Sequence, residues 1–251
     1  MKQHEDEAIV LDIRPARDAD RSVVLLASSG ELVPTYAPAA ARSRRRFGGA
    51  LMPGARVRAR WTVQREGGMA VLQELQLVGD APSPDPLERF YAASHVLEVT
   101  RAFAREGAED PRMYRLLRSV LERIAAGDPI DPLARYFEAW VLRLAGLLPE
   151  SAGCSACGAS LDGAEVVVVP DEGAFCTEHA PAGGRHLSRR AAAWLAATRD
   201  RPPERLPPLG DRDGEALAGL LTGTIVGFTE RRLKAWPALA ALRGRARGRE
   251  G

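Results

Sequence analysis

The sequence predicts an α+β, multidomain protein: an N-terminal β-barrel, then an α-helical bundle carrying an inserted cysteine ribbon. Three observations carry this. Five short apolar segments broken by turn residues fill the first eighty positions, three Asp-Pro pairs open helices beyond them, the second and third with 3.6-periodic stripes, and two Cys-x-x-Cys/His half-sites follow the third helix. With 45% hydrophobic and 27% charged residues in 251 positions, the chain has the apolar surface for a core, so wholesale disorder is excluded. The length fits one large or two small folded units, and the Pro/Gly distribution favours two.

The barrel elements come first. Ala8 to Arg14, Ser22 to Ser28 and Leu32 to Ala37 read as strands, separated by an Asp/Arg turn and by Ser29-Gly30. After an arginine-rich loop, residues 55–61 alternate strictly, and Met69 to Val78 supplies a fifth strand across the Glu66-Gly67-Gly68 turn. Five strands with no helical period fit a closed barrel of the oligonucleotide-binding (OB) type, and an SH3-like barrel fits the same pattern. Successive strand side chains point to opposite faces, so Val57, Ala59 and Trp61 are expected in the core and Arg56, Arg58 and Arg60 in one outward row.

Gly79 to Pro84 is a linker by composition, which sets expected domains of 1–80 and 81–251. Asp85-Pro86, Asp110-Pro111 and Asp131-Pro132 each offer an N-cap acceptor followed by a residue that needs no N–H there, with Glu88 as a capping-box acid. The stripes Met113, Leu116, Leu117, Val120, Leu121, Ile124 and Leu133, Tyr136, Phe137, Trp140, Val141, Leu144 define two helices, with Gly127 and Gly146 as C-cap signals. Further helices are expected over Ser188 to Arg199 and from about Asp213 to Trp236, and the Arg/Gly-rich tail from Arg243 is expected to be disordered.

Cys154-x-x-Cys157, eighteen residues, then Cys176-x-x-His179 is the most specific motif in the chain. A two-residue spacer lets both side chains of a knuckle reach one ion, and Ala164 to Phe175 reads as a hairpin that returns the second half-site to the first. Three thiolates and an imidazole suit one structural Zn2+. His186 is the alternative fourth ligand, and the ribbon insertion is expected over about 152–184.

Charge is polarised although the net formal charge is only +2. Thirty-three of the thirty-five basic residues are Arg. Residues 32–65 hold eight of them and no acid, and residues 231–249 hold seven basic residues and no acid. Such local fields attract polyanions, and Arg forks match phosphate oxygens in pairs. Arg42, Arg44, Arg45 and Arg46 together with Arg56, Arg58 and Arg60 are the expected phosphate contacts. Phe47, before Gly48-Gly49, is the best-placed aromatic to stack on a base, against the competing expectation that it plugs the barrel. Arg231, Arg232 and Lys234 form a second basic patch, expected on a helix.

Several classes are disfavoured. The sequence has no Walker A, no G-x-G-x-x-G after a strand, no G-x-S-x-G and no zinc-hydrolase motif, and the acid pairs Asp18/Asp20 and Glu109/Asp110 read as solvated turn or cap residues, so no enzyme is expected. No run of about 18 apolar residues exists, and the first residues are acidic where a secretory leader would be basic and then apolar, so a cytoplasmic protein without membrane contact is expected.

The order of barrel, bundle and ribbon resembles the bacterial recombination mediator RecO family. So do Ile9-Val10-Leu11 with Arg14, the stretch Ala41 to Leu51 with its Arg44-Arg45-Arg46-Phe47-Gly48-Gly49 string, and Phe137-Glu138 through Leu148-Pro149 into Cys154-x-x-Cys157-Gly158. The resemblance implies a non-enzymatic, nucleoid-associated DNA-repair protein that binds single- and double-stranded DNA and anneals complementary strands, with Arg14 among its contacts. It further implies action with RecR, contact with the C-terminal tail of single-stranded DNA-binding protein, and help in loading RecA. Family members with the ribbon usually carry four cysteines, so His179 is a departure. An RNA-binding accessory factor of transcription or translation is the rival reading of barrel plus ribbon.

Overall fold

The computed structural model describes residues 2–64, 68–80, 82–83, 85–149 and 152–247. The expected Glu66-Gly67 turn, part of the linker and the last residues of the tail lie outside them. Packing divides the chain into two compact units, 1–127 with 233–251, and 128–232. The first three helices after the barrel are thus shared between units, a grouping the linker composition does not reveal.

In the first unit, β1 (Lys2–Pro15), β2 (Arg21–Ala27), β3 (Leu32–Ala37), β4 (Arg56–Val63) and β5 (Ala70–Leu77) close a barrel in the order β1-β2-β3-β5-β4. Only β3 and β5 pair in parallel, and this is the OB arrangement. β1 is longer than its apolar stretch because it serves two partners: Lys2 to Ile9 pair with β4, and Ala8 to Pro15 with β2. The alternation in β4 holds, with Val57, Ala59 and Trp61 inside a core shared with Val10, Val23, Leu25 and Leu72.

The β2–β3 turn needs glycine. Gly30 has φ +89°, and a Cβ there would lie 2.0 Å from the backbone oxygen of Asp110. That close approach sets the turn against the start of α3 (Pro111–Ala126), and Tyr114 on α3 donates to Glu7 at 2.6 Å. From α2 (Leu87–Phe103), Arg101 pairs with Asp12 of β1. Glu98 accepts from the N–H groups of Lys234 and Ala235 at 2.9 and 3.0 Å, capping α7 (Ala235–Arg247), whose Trp236 ring lies 5.1 Å from that of buried His95.

The Asp-Pro devices differ from expectation. Only Asp110 caps with its side chain, accepting from Arg112 N at 3.0 Å. α2 is capped by Pro86. α4 (Ile130–Leu144) starts early enough to place Asp131 and Pro132 in its first turn, where an acid meets the positive helix end and a missing N–H costs nothing. Glu88 is then the second helical residue and pairs with Arg243 instead of closing a capping box. Gly127 ends α3 at φ +106°, as its position suggests.

The second unit holds α4, a sheet β7-β6-β8 formed by β6 (Val166–Val169), β7 (Gly173–Phe175) and β8 (Arg185–Leu187), then α5 (Arg189–Ala197) and α6 (Asp211–Thr229). The single helix expected to Trp236 is instead two. Glu230 in the left-handed region stops α6, and Pro237 falls in the first turn of α7, where its lost donor is tolerated. The tail is helical as far as Arg247.

α4 also carries a charged pair inside its apolar stripe. Arg135 and Glu138 are 1% and 0% exposed, 2.9 Å apart, and Thr222 of α6 bonds both at 2.9 Å. Breaking a buried ion pair by removing one member is costly, so Glu138→Ala is expected to cost about 3–5 kcal/mol, read as a lower denaturation midpoint. A loss below about 1 kcal/mol would show that the site readily hydrates or repacks.

Candidate nucleic-acid interface and metal centre

The basic segment between β3 and β4 is folded rather than loose. Ala39 at φ +52° leads into a 3-10 turn, Ala40–Arg42, followed by the one-turn helix α1 (Arg44–Phe47) and a second 3-10 turn, Gly48–Ala50. Phe47, expected as a stacking surface, is 1% exposed and packs in the barrel core, so it plugs the barrel and offers no face to a base. Burying a large aromatic stabilises far more than leaving it in water.

Arg42, Arg44 and Arg45 are exposed, and no carboxylate is ion-paired with them among the described residues. Arg46 instead braces the segment: Nε donates to Ser43 Oγ at 3.0 Å and a terminal nitrogen to Pro38 O at 2.7 Å, with its guanidinium 4.9 Å from the Phe47 ring centroid.

The row on β4 departs from expectation. Arg56 is half-buried, 2.9 Å from Glu122 and 3.7 Å from Glu7, and Arg60 lies 3.4 Å from Glu5 and 3.3 Å from Glu74. The acids come from β1, β5 and α3: strand pairing sets Glu5 opposite Arg60 and Glu7 opposite Arg58. Two arginines of a stretch acid-free in sequence, Arg56 and Arg60, are therefore charge-matched in space. Of this row only Arg58 is exposed and without an ion pair among the described residues. Arg14 is exposed but holds Asp12 at 2.8 Å. Arg231, Arg232 and Lys234 are exposed, on the non-helical connector between α6 and α7 rather than on a helix.

Asp20 is the residue that motif reading missed. It was expected to be a solvated turn acid, yet Oδ1 accepts from Ala39 N at 2.6 Å and Oδ2 takes the Tyr36 hydroxyl. The Tyr36 bond, then the Ala39 amide, hold its carboxyl below the usual carboxylate range.

In the second unit, Cys154, Cys157, Cys176 and His179 place their ligand atoms within 4.8 Å of one another. Cys157 and Cys176 sulfurs are 4.0 Å apart and Cys176 Sγ is 3.2 Å from His179 Nδ1. Four ligands around one tetrahedral ion with metal–sulfur bonds near 2.3 Å stand about 3.8 Å apart, so the donors fit a single metal. His186 lies on β8 opposite Val167, outside this cluster. The knuckle forms because Gly158, at φ +72°, returns its N–H to Cys154 O at 2.8 Å, and Ser155 N bonds Ala174 O at 2.8 Å to dock it on the hairpin.

The electrostatics suit a cation. The backbone of Cys176, ahead of Cys157 and Ala156, favours the Cys154 thiolate and brings its thiol down to about 6. At Cys157 the Ala159 backbone favours the thiolate, but the adjacent Cys154 and Cys176 outweigh it and push the thiol up. Neighbouring thiols that resist joint ionisation are what a divalent ion relieves.

An OB barrel with an exposed, guanidinium-bearing helical turn, followed in the chain by helices and a Cys3His cluster whose geometry fits one metal ion, defines the class of architecture. Comparison with known proteins narrows it. The family models Recombination protein O N terminal and Recombination protein O C terminal match residues 1–80 and 85–236, and the chain belongs to the RecO family. It is 37% identical over 160 residues to the DNA repair protein RecO of Desulforudis audaxviator (strain MP104C), covering 63% of each chain. Identity is 35% over 159 residues with that of Koribacter versatilis (strain Ellin345), covering 63% of this chain and 65% of the relative. It is 32% over 216 residues with that of Anaeromyxobacter sp. (strain K), covering 81% and 84%. The chain thus spans just under two thirds of the length of the first two relatives. Among the described residues, no helix is long and apolar enough to cross a membrane.

Proposed function

We propose that this protein acts in DNA repair and homologous recombination as a non-enzymatic mediator in the cytoplasm, at the nucleoid. It binds single- and double-stranded DNA without sequence preference and anneals complementary strands. With RecR, and through the tail of single-stranded DNA-binding protein, it helps load RecA. The observation that carries the reading is the trio Arg42, Arg44 and Arg45, exposed and without a paired carboxylate among the described residues, on a hydrogen-bonded turn of an OB barrel in a RecO-family chain.

The physics follows from the residues. Guanidinium groups on a folded turn neutralise phosphates and release counterions, and this lowers the repulsion between two strands. Among the described residues of the barrel, Phe47 and Trp61 are buried and Tyr36 is only partly exposed with its hydroxyl on Asp20, so stacking is limited and bases stay free to pair. Residues 1–80 are the DNA-binding domain in this reading, and 81–251 recruits protein partners.

The ribbon holds one Zn2+ on Cys154, Cys157, Cys176 and His179, as a structural ion with every coordination position taken by protein. Chelation is expected to unfold the ribbon while the barrel persists, read as loss of about one zinc per chain together with faster amide exchange over 152–187 and unchanged exchange over the barrel. A folded, chelator-free preparation without zinc would overturn the site.

Annealing of labelled complementary oligonucleotides, with equal-length RNA as competitor and pull-downs with RecR and with the acidic tail peptide, tests the function. Accelerated DNA annealing with capture of both partners is expected. RNA displacing DNA at parity with no annealing would move the protein to the accessory-factor class.

A further inference from the structure

We propose that Asp20 is a positioning residue for the basic turn: its carboxylate clamps Tyr36 and Ala39 and thereby presents Arg42, Arg44 and Arg45 in a fixed, phosphate-ready geometry. The inference rests on the reading that these arginines contact phosphate.

The clamp is built from both ends. Oδ1 accepts from Ala39 N at 2.6 Å, Oδ2 takes the Tyr36 hydroxyl, and the neighbouring Ala19 O accepts from Ala41 N at 2.8 Å. These bonds seize the residue where the chain leaves β3 and turns left-handed, at Ala39 with φ +52°. The turn is thus pinned at its start by Asp20, tied from Arg46 back to Pro38 O, and anchored at its end by buried Phe47. The three arginines left over project from a segment whose backbone has little freedom. Preorganised donors lose less entropy on binding than donors on a loose loop, so the clamp raises affinity although it adds negative charge beside a cationic site.

That opposition of sign makes the test sharp. By charge alone, removing any acid here tightens DNA binding. By positioning, removing Asp20 weakens it while removing Asp18, exposed at the same turn, does not. Full-length Asp20→Ala is expected to bind a single-stranded oligonucleotide roughly tenfold more weakly than wild type. Tyr36→Phe, which deletes one clamp bond with no change of charge, is expected to weaken it in the same direction, whereas Asp18→Asn binds equally or more tightly. Amide exchange over residues 39–47 is expected to quicken in Asp20→Ala with the barrel strands still protected. If Asp20→Ala binds as tightly as wild type or tighter, or if exchange over 39–47 is unchanged, the clamp is overturned. Should Asp20→Ala fail to fold, Tyr36→Phe with unchanged affinity and exchange overturns it equally. Wild-type protein that binds no DNA refutes the proposed function instead, and the exchange measurement still decides the clamp.

Discussion

Replacing Arg42, Arg44 and Arg45 together by Ala is expected to weaken single-strand binding by roughly 10- to 100-fold at low salt and to slow annealing in step, because each lost guanidinium forfeits an exposed charge-assisted contact worth about 0.5–1 kcal/mol. The salt dependence is expected to flatten as well: each phosphate left unneutralised removes about 0.7 from the logarithmic slope on single strands, or about 2 for all three. Stability is expected to stay within about 0.5 kcal/mol of wild type, since the three side chains are exposed and carry no ion pair among the described residues. Arg46 is left in place because it braces Pro38 O and Ser43. Binding and annealing at wild-type levels would remove the basic turn from the mechanism.

Phe47→Ala is expected to give the opposite profile, with stability lost first. A fully buried aromatic cut to Ala typically costs about 3–5 kcal/mol, a large part of a total near 5–15 kcal/mol. At roughly 2–4 °C per kcal/mol for a domain of this size, the melting temperature of the first unit is expected to fall by about 10 °C. Phe47→Leu, which keeps most of the volume, is expected to recover most of that loss and most of the DNA binding. An Ala variant of wild-type stability that no longer binds DNA would mean the ring leaves the core to stack on a base.

How far the sequence foretold this architecture depended on whether a feature was local. Strand alternation at 55–61, the Gly127 C-cap and the paired cysteine half-sites each depend on near neighbours, and each is found where its spacing placed it. Choosing His179 over His186 took the three-dimensional cluster, because both lie within reach along the chain and only strand pairing sends His186 away. Features set across elements were not legible. The acid-free window 32–65 concealed that β1, β5 and α3 bring carboxylates to Arg56 and Arg60. Asp20 looked like any polar turn residue until its partners on and beyond β3 were known. Arg135 and Glu138 sit in a stripe whose apolar members dominate the pattern, and only the folded packing shows that a charged pair is buried there.

The charge matching on β4 also revises the size of the electrostatic effect. Seven clustered arginines reduce to four that are exposed and free of ion pairs among the described residues: Arg42, Arg44, Arg45 and Arg58. The salt dependence of equilibrium binding, taken on several single-stranded oligonucleotides of unrelated sequence, bears on this most directly. Four neutralised phosphates give a slope of log affinity against log salt of about −2.8, the same for every sequence. A slope near zero, or affinities that follow base sequence rather than ionic strength, would contradict a protein that holds DNA by its phosphates.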